Sequence, residues 1–158
     1  MSPALALPTP WVSRTASPAQ QAAAVAALAA YRGMWADLAT IGQSEQGWKD
    51  PELGEYMTDK PLVDWSQTLA NYAKLGQVSS GAPLIDPRVV KVDASSKPTQ
   101  VEIADCFDST KWITVSATTH RPVDSSPGVR ERTEALLNLD TDGYWKATEQ
   151  VFGKPGSC

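Results

Sequence analysis

The chain has a single histidine and only two cysteines among its 158 residues. That scarcity leaves little from which to build a metal centre, because zinc sites draw several His and Cys ligands together at set spacings. His120 stands in a Thr-Thr-His-Arg-Pro stretch with no carboxylate cluster at ligand spacing, and it reads as a surface-loop residue. Cys106 and Cys158 are too far apart for a CxxC redox or zinc pair. Cationic residues are also few: 14 Lys and Arg against 18 Asp and Glu leave a net charge of −4. Nucleic acid is therefore not an expected partner, since phosphate binding needs clustered cations. The densest basic group, Arg130 and Arg132, is interleaved with Glu131 and Glu134.

Long apolar runs are missing too, and nothing approaches the roughly 18 residues of a membrane span. The alanine-rich stretch 19–30 comes nearest, but alanine is weakly hydrophobic. The opening MSPALALPTP has neither a positive n-region nor an adequate apolar h-region, so it does not read as a signal peptide. Export would then require a leader supplied upstream. No GxSxG elbow occurs, and Gly76, Gly81, Gly143 and Gly153 are isolated turn glycines, not a phosphate-cradling loop. No cofactor or metal is expected on these grounds.

What the sequence does contain is tryptophan, six in all, with four tyrosines. Tyr31, Trp35, Trp65, Tyr72, Trp112 and Trp145 could line a ligand cavity, although such spacings more often mark a core. Trp11 and Trp48 fall in a tail and a loop, packed back on the domain or exposed to a partner. The chain ends on Cys158 after Lys-Pro-Gly-Ser, a poor place for a buried thiol. Two unrelated thiols remain the alternative. A bridge to Cys106 would close a loop of about 50 residues, contribute roughly 4 kcal/mol by the chain-entropy relation, and imply an oxidising compartment.

Along the chain, residues 1–16 hold three prolines and read as an extended tail, leaving 17–158 as one domain. Ser17-Pro18-Ala19-Gln20 is a capping box that opens a helix running to about residue 40, with Gly42 as its stop. Val25, Leu28, Tyr31, Trp35 and Leu38 form its expected buried stripe. A short helix over 51–57, capped by Asp50, precedes a third whose apolar face is Leu62, Trp65, Leu69, Tyr72 and Leu75. After Gly76 the period changes to two. Strands are expected at 88–92, 100–107, 112–118, 129–140 and 144–152, the first at an edge because Pro83 and Pro87 precede it. Residues 108–111 read as a hairpin turn and 140–143 as a strong one, with a looser link over 119–128. Helices followed by an antiparallel meander indicate an α+β domain.

The segments AYRGMW (30–35), DPRVVKV (86–92), VEIADCFDSTKW (101–112), GYWK (143–146) and the closing GSC (156–158) resemble the NTF2-like, or cystatin-like cone, fold. More narrowly they resemble small secreted proteins and lipoproteins of actinobacteria. The resemblance covers about residues 18–158 and implies helices packed on a curved antiparallel sheet, with the strand and terminal cysteines bridged. It also implies dimers through the open sheet face as a common arrangement. Its motifs specify a scaffold and no activity, because the same fold serves isomerases, cyclases, conjugation-channel domains and interaction modules.

In such a cone the concave face holds the candidate site. Val101, Ile103, Asp105 and Phe107 alternate on one side of their strand, which would put Asp105 among apolar neighbours. Trp145, Ala147, Glu149 and Val151 alternate on the last strand, which would turn Glu149 inward as well. A buried carboxylate with a raised pKa can act as a general base beside a carbonyl. The plainer reading of Asp105 is a structural acid, bonded to a turn or paired with Arg32 or Arg130. Pocket walls are expected from Tyr31, Trp35, Trp112 and Trp145. The leading expectation is a non-enzymatic, extracytoplasmic binding or assembly module that partners a cell-envelope or transfer-apparatus protein. The alternatives are an isomerase or cyclase using Asp105, and a carrier of an apolar ligand.

Overall fold

Ser17 opens the first helix by reciprocal capping: its Oγ accepts from the Gln20 N–H at 3.1 Å and its own N–H donates to Gln20 Oε1 at 2.9 Å. The computed structural model describes residues 16–123 and 128–158. The expected tail with Trp11, and the centre of the 119–128 link, lie outside the described residues.

Helix α1 (Pro18–Ile41) ends at Gly42 as anticipated, but by a different device. Gly42 is right-handed (φ −67°), not a left-handed cap, and its carbonyl accepts the Ser79 N–H at 2.8 Å. A Cβ at Gly42 would lie 2.9 Å from the Leu38 carbonyl and 3.0 Å from Ser79 Oγ, so the close approach is what calls for glycine. The buried face runs through Ala24, Ala27, Tyr31, Trp35 and Leu38, whereas Val25 is 49% exposed. The expected stripe is thus corrected at Val25: alanines carry the first turns, letting the helix backbone sit close against its neighbours. Asp50 caps a short 3-10 turn (Pro51–Gly54) where a longer helix was expected, accepting from Glu52 N–H at 2.9 Å. Helix α2 (Asp59–Lys74) buries Leu69 and turns Leu62, Trp65 and Tyr72 onto the core. Leu75, beyond its end, is 69% exposed instead of completing that face.

Six strands follow: β1 (Gln77–Gly81), β2 (Arg88–Asp93), β3 (Gln100–Asp108), β4 (Trp112–Ser116), β5 (Arg130–Leu139) and β6 (Trp145–Pro155). They make two antiparallel sheets, one in the order β2-β3-β5-β6 and one pairing β1 with β4. This corrects the expected single meander. The chain does turn at Ser109, whose carbonyl accepts the Trp112 N–H at 3.0 Å, but β4 then leaves β3 and pairs with β1. β1 was not anticipated, because Gln-Val-Ser-Ser-Gly has only one residue of strong strand preference. β2 is an edge strand with a bulge between Val89 and Lys91, as its upstream prolines suggested. The Asp140–Gly143 turn joins β5 to β6, with Gly143 at φ +88° and Lys146 Nζ 2.8 Å from Asp142 and 3.4 Å from Asp140.

The result is an α+β fold, two helices against antiparallel sheets with no closed barrel. Tyr31, Leu38, Met57, Val101, Ile103 and Leu137 fill the space between helices and the larger sheet. Cys106 and Cys158 are bridged, with Cα atoms 5.8 Å apart. Gly156 (φ +81°) turns the tail back, and Ser157 Oγ accepts the Arg132 N–H at 2.7 Å as the tail crosses β5 to reach β3. No helix among the described residues is long and apolar enough to cross a membrane.

Candidate functional site

β3 presents Val101, Ile103, Asp105 and Phe107 to the helices, all nearly inaccessible to solvent, in the expected alternation. Asp105 is held on both oxygens. Tyr31 of α1 donates its hydroxyl to Oδ2 at 2.7 Å, and the Asp86 backbone N–H, in the loop before β2, donates to Oδ1 at 2.6 Å. Burial raises the Asp105 pKa; the two donated hydrogen bonds oppose that rise. Tyr31 is pushed well above an ordinary phenol, first by burial and then by the Asp105 charge. The plainer reading of Asp105 was bonding to a turn or pairing with an arginine. Its bonds are to the backbone of the loop before β2, at Asp86, and to a tyrosine that the sequence did not single out as its partner.

β6 departs from simple alternation. Leu136 faces Glu149 while Leu137 faces Ala147, so one extra residue, Thr148, is inserted on the β6 side. Ala147 is buried below the bulge, and above it Gln150 and Phe152, not Glu149 and Val151, turn toward the helices. Glu149 is exposed on the opposite face, which corrects the expectation that it points inward beside Asp105. Thr148 donates its hydroxyl to Asn138 Oδ1 at 2.8 Å, satisfying the inserted residue locally.

Above the bulge lies a half-open cleft of about 700 Å³, between α2 and the converging ends of β3, β4, β5 and β6. Trp65, Phe107, Trp112 and Phe152 form its apolar walls, and Gln150 and Glu131 supply polar atoms. Trp65 Nε1 donates to Gln150 Oε1 at 3.0 Å, and Gln150 Nε2 lies 3.4 Å from Met34 Sδ. Trp35 lies beneath all four walls. Its ring centroid is 4.5 Å from Phe107, 5.6 Å from Trp65, 5.9 Å from Trp112 and 6.4 Å from Phe152. Edge-on packing of this kind adds attraction beyond area burial.

Of the expected pocket residues, Trp112 lines the cleft. Tyr31 and Trp35 are fully buried and make the core behind it, on the face of α1 that packs against the rest of the fold. Trp145 packs on the core at the far end of β6, on the other side of the bulge. Phe152 and Gln150 joined the site unforeseen, since a bulge leaves no mark in composition. His120 is exposed in a turn at φ +61°.

A second recess, of about 450 Å³, is lined by Asp37, Asp50 and Glu52. The Asp37 pKa is pushed up to about 6 by burial, by hydrogen bonding with Glu55, and by the charges of Glu55, Glu52 and Asp50. Its Oδ2 is buried without a hydrogen-bond partner among the described residues. Among the described residues no group of three or more His, Cys, Asp or Glu could hold a metal ion.

Neither a family model nor a curated protein sequence matches the chain. One solved structure that matches is the intermembrane-space region of the chloroplast protein ARC6, at 18% identity and a TM-score of 0.49, covering 78% of this chain and 93% of that one. A likeness of that size says nothing of function.

Proposed function

We propose that the protein is a non-enzymatic, extracytoplasmic binding module of NTF2-like type, and that the aromatic cleft is its working surface. One observation carries this reading: a cleft of about 700 Å³ walled by Trp65, Phe107, Trp112 and Phe152, of the size and character that bind small apolar molecules. The Cys106–Cys158 bridge supports an oxidising, extracytoplasmic setting. A cell-envelope or transfer-apparatus protein is the proposed partner class.

The isomerase or cyclase alternative needs Asp105 on the cleft wall. Its carboxylate instead lies in the core, with both oxygens bonded by Tyr31 and Asp86. Dimerisation through the open sheet face would have to cover the ion pairs Lys91–Glu102 and Arg132–Glu134, which that face carries.

Titration with Nile red, a neutral apolar fluorophore, tests the reading. Saturable binding at one site per chain is expected, weakened about tenfold by Phe152→Ala, a wall residue whose truncation removes contact area. Phe152 is 39% exposed, so the variant should fold. Binding that ignores this substitution would overturn the cleft as the working surface.

A further inference from the structure

Two kinds of charge meet at the cleft, and they do not balance. Lys60 and Asp64 stand on its rim as an i,i+4 pair at 2.7 Å, with side chains 80% and 54% exposed, and they cancel each other. Glu131 lies deeper, half-buried at the start of β5 opposite Phe107. Its backbone belongs to the ladder, but its carboxylate has no ion-pair or hydrogen-bond partner among the described residues. The two arginines beside it in sequence cannot serve, because strand alternation points them to the other face. There Arg132 Nε pairs with Glu134 at 3.0 Å, and Arg130 Nε lies 3.9 Å from Asp108.

The Glu131 carboxylate shares the cleft with indole and phenyl rings, and a compact cation such as sodium, which keeps its hydration shell, gains nothing from the rings. A weakly hydrated organic cation gains twice, from the carboxylate and from the negative ring faces, and its apolar substituents fill the walls. We infer that the cleft takes a small, free alkylammonium ion of the quaternary type, seated against Trp65, Trp112 and Phe152 with Glu131 as its counter-charge. This rests on the cleft being the working surface and adds the charge of the ligand.

Calorimetric titration with choline and with dimethylbutanol, its neutral isostere in which carbon replaces the quaternary nitrogen, provides the test. Choline is expected to bind about tenfold more tightly than the isostere, and Glu131→Gln, a near-isosteric change, to erase that preference. Equal affinities in the unaltered protein would overturn the inference while Nile red binding still upheld the cleft. A preference that survives Glu131→Gln would overturn the role of Glu131 and, with it, the inference. Cosedimentation of the protein with phosphatidylcholine vesicles, abolished by Glu131→Gln, would assign the cation to a lipid headgroup and overturn a free ligand.

Discussion

Tyr31 and Asp105, 74 residues apart, meet in a buried 2.7 Å hydrogen bond that ties α1 to the centre of the larger sheet. Asp105 also fixes the loop before β2 through the Asp86 N–H, so one carboxylate joins three separate elements. The arrangement makes Asp105 a strut, its burial compensated first by the two donors and only then by the Arg32 charge.

Removing the phenol oxygen should therefore be costly. Tyr31→Phe is expected to destabilise the fold by about 2 kcal/mol near neutral pH, since it strips a donor from a buried ionised group. The Asp105 pKa is already raised by burial, and losing the Tyr31 bond raises it further. A carboxylate with a raised folded-state pKa loses stability as pH rises through that value. The deficit should thus shrink in acid, where Asp105 is protonated. Urea melts of both proteins across the acid range measure it, and a pH-independent deficit would refute the strut.

The Cys106–Cys158 bridge closes a loop of 52 residues. Cys158→Ser should lower stability by about 4 kcal/mol on the chain-entropy relation. A reductant should bring the native protein to the level of the variant and leave the variant unmoved. Equal denaturant midpoints for oxidised and reduced protein would show that the bridge contributes nothing.

Asp37 offers a case of opposite sense, in which removing a charge helps. With its pKa at about 6 against an ordinary 3.8, the folded protein holds a proton that the unfolded chain has shed between these values. Stability therefore falls across that window as pH rises, and the penalty persists above it. Asp37→Asn should raise stability by about 1 kcal/mol at neutral pH, discounted for partial exposure, and by nothing once pH drops below the ordinary carboxylate range. Thermal melts at the two pH values decide the matter.

The alanine face of α1 is a packing constraint and not only a source of helix propensity. Ala27, with no exposed surface, should tolerate Leu badly, at a cost of about 1–3 kcal/mol from overpacking. Val25→Ala, two residues away on the exposed side of the helix, should change stability by less than about 0.5 kcal/mol. Equal effects at the two positions would mean that the helix is not seated as described.

Local chemistry was legible in the sequence where its cause was local. The Ser17 capping box, the inward set on β3, the Asp140–Gly143 turn and the cysteine pair all depend on neighbours in sequence or on a single distance. Trp65, Tyr72 and Trp112 could be named as possible cavity walls by their size alone. What escaped was pairing. β1 becomes a strand because β4 lies beside it, and Glu149 faces outward because the β5–β6 ladder slips by one residue at Thr148. Neither event alters any property of the residues concerned, and Phe152 entered the site only through that slip.

Trp35, Trp65 and Trp112 lie with ring centroids 5.6, 5.7 and 5.9 Å apart. Indoles that close share their excited states, so the trio absorbs light as one chiral chromophore. Two of its members face the cleft and the third holds them from beneath. A ligand seated there is expected to disturb two of the three, and a change in their circular-dichroism couplet on titration would report it. The protein carries its own optical gauge of occupancy, with no label attached.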